Sequence, residues 1–242
     1  MADIFLVGSG VRQADHLTIE AVNALGFCTE IYSLIPQAFI PDRYAEKVHS
    51  LRELNRPGIT WDDICRQAVD LIWRASLRNP PVAYLAVGNS VVFDSVTAGV
   101  LARSRHTDRH VEVIAGISSV DAVMAALEID YWPGIQVYNA NSLMVHHIAP
   151  RNDVACLLLQ PDFVGTPVRV ELQSRAAALR PLRDHLLCSY PAEHTVSFVT
   201  CGGASRADTR IDSFPLGQLA DAEVCPELPG ASLFIPPAAQ LG

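Results

Sequence analysis

Three times in its first half the chain repeats one device: an apolar run of strand length, a turn of small residues, and a segment with helical spacing of apolar side chains. "DIFLVGSG" ends in Gly8, Ser9 and Gly10, and "LTIEAVNALG" then sets Leu17, Ala21 and Leu25 on one helical stripe, with Gly26 as its stop. "PPVAYLAVGNSVVFDS" runs to Gly88 and turns at Asn89 and Ser90 before a helix through "VTAGVLARSR". "VEVIAGISSVDAVMAALEID" closes its strand at Gly116 and caps the next helix with Ser118 or Ser119. A strand that is apolar at consecutive positions is buried on both faces, which is the condition of a parallel sheet covered by helices. The repeat therefore predicts an α/β fold with a mainly parallel sheet.

The intervening segments fit that frame. "CTEIYSLI" reads as a second strand closed by Pro36, and "PDRYAEKVHSLRELN" as a helix broken at "RPG". "TWDDICRQAVDLIWRASL" is a helix capped by Thr60 or Asp62, with Ile64, Ala68, Leu71 and Ile72 turned inward. The second half changes character. "IQVYNA", "DVACLLLQP", "HTVSFVTCGG" and "ASLFIPP" are strand-like, with one strong helix, "TPVRVELQSRAAALRPLRDHL", among them. Fewer helices per strand predict a mixed sheet, so the expected domains are 1–115 and 116–242. With 242 residues, half of them hydrophobic, each can bury a core.

Charge narrows the function. The formal net charge is −8, Lys47 is the single lysine, and no basic cluster exists to track a phosphate backbone, which argues against nucleic acid. The 6 cysteines include no C-x-x-C pair and several sit in apolar runs, as buried free thiols of a reducing cytoplasm do. No apolar stretch is long enough to span a bilayer, and no basic-flanked signal segment precedes the first strand. His146 and His147 have no partner at zinc-ligand spacing, so no metal site is expected. Trp61, Trp73 and Trp132 read as core or subunit contacts.

The glycine turns carry the chemistry. A dinucleotide turn needs a third glycine where Gln13 stands, and no ribose-binding acid follows the second strand except the poorly placed Asp42. A phosphate loop needs a G-K-[ST] that is missing. What remains is a set of three strand ends, at Gly8–Gly10, Gly88–Ser90 and Gly116–Ser119, on the edge of the sheet where open α/β folds bind ligands.

The order of these turns also resembles the tetrapyrrole methylase superfamily. "LVGSGVRQADHLTIEAV" is similar to its G-x-G-P-G-D opening followed by L-T, "AYLAVGNSVVFDS" to its G-D-P-x-x-y-S segment, and "VIAGISSVDAVMAAL" to its P-G-[IV]-S-[AS] segment. Downstream, "ALEIDYWPGIQVYNANSL", "LLLQPDFVG" and "ASLFIPP" resemble the borosin branch, whose enzymes methylate peptide backbone nitrogens. The resemblance implies two α/β domains, a homodimer, and S-adenosylmethionine folded in the cleft between the domains. It implies that Gly88, Asn89, Val91, Val92 and Phe93 line the methionine and sulfonium side. By the same carry-over Ser118 and Ser119 approach the carboxylate or ribose, and Gln160 meets the adenine.

Departures from the pattern shape the acceptor. Val11 replaces the usual proline, and Asn89-Ser90 replaces Asp-Pro, removing a carboxylate of the tetrapyrrole branch. Val87 stands where the borosin branch has a catalytic tyrosine, and "LRELNRPGIT" offers Arg52 and Arg56 but no tyrosine. Tyr138 and Tyr84 are the candidates to take the catalytic role, with Asp94 and His16 behind them. The expected activity is methyl transfer to a separate peptide or small natural product, since the sequence stops just after "SLFIPP". The alternatives are a corrin or porphyrin C-methyltransferase using Arg12, Arg52 and Arg56, and a non-catalytic cofactor-binding partner subunit, which Val87 motivates.

Overall fold

In the computed structural model, which describes residues 2–12, 14–37, 40–130, 132, 134–165, 175–203, 206–221 and 230–238, the chain divides into two units near Ser119. The first holds β1 (Ile4–Gly8), α1 (Ile19–Phe27), β2 (Glu30–Ser33), β3 (Val48–Ser50), α2 (Trp61–Arg78), β4 (Val82–Ala86), α3 (Ser95–Ser104) and β5 (Val111–Ile114). Its strands run parallel in the order β3-β2-β4-β1-β5. Strand alternation splits its core in two. Phe5, Val7, Ala83 and Leu85 pack with α1 on one face, and Ile4, Leu6, Val82, Tyr84 and Ala86 pack with α2 and α3 on the other. The connections leaving β1 and β4 therefore depart to opposite faces of the sheet.

Three local expectations are corrected. Gly26 does not stop α1, which continues to Phe27 and closes at Cys28, whose N–H donates to the Ala24 carbonyl. The helix expected over 41–55 is instead a 3-10 turn at Asp42–Lys47, the edge strand β3, and a second 3-10 turn at Arg52–Leu54. Pairing with β2 wins there: Tyr32 lies opposite His49, and the two rings stack with centroids 5.0 Å apart. In α2, Thr60 is the cap, its Oγ1 accepting from the Asp63 N–H at 3.1 Å, while Leu71 faces outward rather than into the core.

The second unit carries α4 (Ser119–Leu127), β6 (Ile135–Asn139), α5 (Ala140–Val145), β7 (Ala155–Leu159), α6 (Arg175–Leu186), β8 (Thr195–Thr200), β9 (Arg210–Pro215) and β10 (Ser232–Ile235). Its sheet is mixed, in the order β6-β7-β10-β8-β9, with only β6 and β7 parallel. Neither α5 nor β9 is anticipated by the sequence pattern. Strand β9 alternates Arg210 and Asp212 with Ile211 and pairs antiparallel with β8, so its signal is that of a polar edge rather than an apolar run. The first part of the expected long helix, residues 166–174, lies outside the described residues.

No helix among the described residues is long and apolar enough to cross a membrane. Cys28, Cys65, Cys156 and Cys201 are buried and Cys188 is exposed, while Cys225 lies outside the described residues. Trp73 belongs to the core, and Trp132 is exposed.

Candidate functional site

The three glycine turns meet at the carboxyl edge of the parallel sheet, and they meet backbone to backbone. A Cβ on Gly8 would stand 2.5 Å from the Gly88 carbonyl oxygen and 2.6 Å from the Gly116 nitrogen. One on Gly116 would stand 2.3 Å from that same oxygen and 2.7 Å from the Gly8 carbonyl. No side chain fits at either position, which is why the strands end in glycine. Gly10 and Gly88 exchange both of their backbone hydrogen bonds, at 3.0 and 2.9 Å, tying the first turn to the second. Gly88 differs from the other two. It lies at φ +71°, and a Cβ built there would sit 3.7 Å from Val11 Cγ1 and 3.9 Å from Ser118 Cα and from the Ser119 nitrogen. Glycine leaves that hollow open, and a ligand can approach the main chain through it.

Buried polar groups hold the turns from beneath. The Ser90 hydroxyl is buried and points back to the carbonyls of Leu6 (3.2 Å) and Ile114 (3.5 Å), so one side chain links the second turn to β1 and β5. Asp94 caps α3 by accepting from the Thr97 N–H at 2.7 Å and also accepts from the Tyr84 hydroxyl at 3.0 Å. Burial pushes the Asp94 carboxyl above its ordinary range despite those donors. His16 supports the first turn: its Nδ1 accepts from the Val11 N–H at 3.4 Å, which requires the unprotonated ring. Burial, and then the Arg12 guanidinium, hold the His16 pKa below its usual value, against a smaller opposing effect of Asp15.

Above this frame the surface is apolar. Val87 is 61% exposed, and Val91, Phe93 and Ile117 are exposed beside it. Phe93 takes a left-handed backbone at φ 53°, a conformation that costs a non-glycine residue free energy and that the neighbouring Asp94 cap holds in place. These exposed apolar side chains stand on the same turns as the glycine cradle.

The structure thus brings Gly88, Asn89, Val91, Val92, Phe93, Ser118 and Ser119 to one edge of one sheet. Val92 is half-buried, with its N–H donating to the Asn89 carbonyl, and the Asn89 side chain accepts from the Val91 N–H. Ser118 is buried directly before α4, and Ser119 is that helix's first residue. Tyr84 is 1% exposed, and this burial leaves no surface for an acceptor to touch. In the second unit Tyr138 is half-buried on β6, its hydroxyl 3.4 Å from Gln136. Gln160 has a left-handed backbone at φ 57° and accepts from Asn139 at 2.8 Å. The roles of Ser90 and of the neutral His16 escape sequence reasoning. A serine and a histidine near a turn give no period or spacing by which to find them.

Comparison with known proteins places these features in context. A family model described as Tetrapyrrole (Corrin/Porphyrin) Methylases matches residues 3–156. Among curated proteins, the chain is 24% identical over 243 residues to the methyltransferase/ribosomally synthesized cyclic peptide dendrothelin A precursor of Dendrothele bispora, covering 98% of this chain and 58% of that protein. It is 23% identical over 241 residues to the corresponding omphalotin A precursor of Omphalotus olearius, covering 97% and 58%. The chain thus spans somewhat more than half the length of these relatives. Among solved structures, a uroporphyrin-III C-methyltransferase from Thermus thermophilus, complexed with S-adenosylhomocysteine, superposes with a TM-score of 0.65 at 19% identity, covering 96% of each chain. That likeness is one of fold.

Proposed function

We propose that this chain, which belongs to the tetrapyrrole (corrin/porphyrin) methylase family, is an S-adenosylmethionine-dependent methyltransferase whose acceptor is a peptide. The observation that carries this reading is the backbone cradle. Three strand ends close on one another through Gly8, Gly88 and Gly116, and the hollow at Gly88 is bordered by Val11, Ser118 and Ser119.

The residues present suit the cofactor. Gly88, Asn89, Val91, Val92 and Phe93 would hold its methionine and sulfonium side. Ser118 and Ser119 would meet its carboxylate or ribose at the start of α4, where the backbone favours negative charge. Bound there, S-adenosylmethionine supplies a methyl group made electrophilic by its sulfonium. The chain's own contribution is then to orient the acceptor in line and to exclude water. Val87, Val91, Phe93 and Ile117 furnish an apolar lining, and orientation of this kind is worth roughly 7–11 kcal/mol in favourable cases. Tyr84, locked to Asp94, acts as a positioning residue for the Phe93 turn. Gln160 on the adenine side is supported by the resemblance of its segment alone, and Tyr138 as the group that polarises the acceptor by its place in the segment that follows the first unit.

The peptide acceptor is supported by the two curated relatives, whose names join a methyltransferase to a ribosomally synthesized peptide precursor. A tetrapyrrole acceptor carries several carboxylates and needs gathered arginines. Arg52 and Arg56 are exposed, and the Arg56 Nε donates to the Glu53 carbonyl at 3.2 Å. We read the active form as a cytoplasmic homodimer, which sedimentation equilibrium and cell fractionation test.

The deciding experiment is calorimetric titration with S-adenosylmethionine, S-adenosylhomocysteine and NAD, followed by mass spectrometry of synthetic peptides incubated with the protein and donor. Micromolar binding of the first two ligands, with mass gains matching single methyl groups, is expected. Val92→Asp should lose affinity and turnover together. Binding of NAD alone, or full activity in Val92→Asp, refutes the assignment.

A further inference from the structure

The second glycine turn is braced by a carboxylate where a neutral side chain would cap the next helix as well. Asp94 is the N-cap of α3, and asparagine is as good a cap as aspartate. Yet the Asp94 carboxyl group lies between Tyr84 of β4 and Thr97 of α3, both of them buried. An ionised group in such surroundings costs free energy that an amide does not. What the carboxylate has and the amide lacks is an acceptor on each of its two oxygens.

Both acceptors are engaged. Oδ1 accepts from the Thr97 N–H at 2.7 Å and Oδ2 from the Tyr84 hydroxyl at 3.0 Å. The Thr97 amide can only donate, so the ionised group satisfies both partners as they stand. Protonation of Oδ2 reverses the bond to Tyr84, whose phenol must then send its own hydrogen elsewhere in the core. Protonation of Oδ1 sets two donors against each other. Either way, one of the two ties that join β4 to the start of α3 through Asp94 is disturbed. Phe93 directly precedes Asp94 and holds a left-handed backbone at φ 53°, which persists only while its surroundings over-determine it.

We propose that Asp94 is a positioning residue whose ionised form holds the Phe93 turn in shape for the methyl donor, so that donor affinity falls when the carboxyl group takes up a proton. This role rests on the reading of that turn as the methionine and sulfonium side of the donor site. Tyr84 is the titratable group that faces Asp94 from β4, and Cys65 of α2 lies in the core cluster around Tyr84. From α3 the Thr97 and Val96 N–H groups point to the carboxylate. Burial raises the carboxyl above its ordinary range, which brings the change toward the pH at which the folded protein can be studied.

The test reads Asp94 with and without the donor, on the full chain. In the free protein the Thr97 amide resonance, followed by NMR, should titrate above about pH 4 in wild type and not in Asp94→Asn. Calorimetry with S-adenosylmethionine over the same range should show wild-type affinity falling about fivefold or more through that midpoint, a coupling of the usual size between linked sites. The Asp94→Asn amide donates to Tyr84 as the protonated acid does. At about pH 7 that variant should bind about fivefold or more weakly than wild type while keeping or gaining melting temperature, a pairing of effects that a merely structural role does not produce. Tyr84→Phe removes one donor from the carboxylate and should move the amide and affinity midpoints upward together. His16 also titrates beneath the first turn, so the wild-type profile is taken as its ratio to that of Asp94→Asn. Four results overturn the proposal. They are a Thr97 amide that does not titrate, a ratio that stays flat while it does, wild-type affinity in Asp94→Asn, and a loss of affinity in that variant matched by a loss of melting temperature. A protein that binds no S-adenosylmethionine at any pH while Thr97 still titrates refutes instead the donor-site reading, and this role of Asp94 with it.

Discussion

Replacing Gly116 by alanine tests the backbone cradle directly. The new Cβ would lie 2.3 Å from the Gly88 carbonyl oxygen, whereas a carbon and a carbonyl oxygen settle at about 3.3 Å or more. One of the two chains must therefore retreat by about 1 Å. The Gly88 oxygen accepts from the Gly10 N–H at 3.0 Å, so a retreat of that size breaks the bond. A lost backbone hydrogen bond costs about 0.5–1.5 kcal/mol, and forcing a methyl group into a packed site about 1–3 kcal/mol. Destabilisation of about 2–4 kcal/mol is expected from urea unfolding, with a parallel loss of S-adenosylmethionine affinity by calorimetry, because the displaced main chain forms the cradle itself. Gly26→Ala is the internal control. Gly26 sits within α1, and a methyl group added there meets nothing within 4 Å, so the same chemical change should stabilise by about 0.5–1 kcal/mol and leave binding unchanged. If Gly116→Ala unfolds and binds as wild type does, the three turns do not pack as described and the cradle argument fails.

Three further outcomes follow from the buried polar groups. Burial raises the Asp94 carboxyl above its ordinary 3.8, so its contribution to stability is complete below that pH and is lost as pH rises through the folded value. Asp94→Asn should accordingly gain stability relative to wild type as pH rises above about 4 in paired unfolding curves, and a gap that does not change with pH would refute this. His16 is shifted the other way: its ring is held neutral, so its contribution is complete above the ordinary 6.5 and is lost as pH falls through the lowered folded value. Melting temperatures of His16→Gln should therefore decline less than those of wild type on acidification below about pH 6.5, and parallel declines would show that the Val11 contact has no weight. Burial also pushes the Cys28 and Cys156 thiols up to about 12, so brief alkylation of the native protein should label Cys188 first and leave those two unlabelled until the chain unfolds. Early labelling of Cys156 in peptide maps would contradict its burial.

The sequence made the parallel unit legible because β1 and β4 are buried at every position and announce themselves as apolar runs, and because β1, β4 and β5 lead into turns where a glycine is required. At two of the edges the signal disappears. Strand β3 carries His49 and Ser50, and β9 carries Arg210 and Asp212, side chains that read as helix or loop in isolation and become strand only through pairing with β2 and β8. The candidate site is legible to the same degree as its backbone. Gly88, Asn89 and Ser118 are visible because turns constrain composition. Ser90 and His16 stand in the turns the sequence marks, but their roles are not visible there, because they consist of bonds to Leu6, Ile114 and Val11 that leave no trace of period or spacing.

This division between backbone and side chain bears on how such a site can change its acceptor. At Gly8 and Gly116 any side chain collides with main chain, so these positions are fixed by sterics whatever molecule is methylated. Val87, Val91, Phe93 and Ile117 instead project from the cradle into solvent, where exchange of one side chain for another costs the fold little. On the proposed assignment, donor binding would rest on the glycine-fixed main chain with Val91 and Phe93 beside it, and acceptor choice would be left to Val87 and Ile117. A valine at position 87 in place of a tyrosine is thus compatible with an intact donor site. The group that polarises the acceptor must then come from elsewhere, and exchanging Tyr138 for Phe, with turnover and donor affinity measured separately, addresses that question. Loss of turnover at unchanged donor affinity would identify Tyr138 as that group, and unchanged turnover would exclude it.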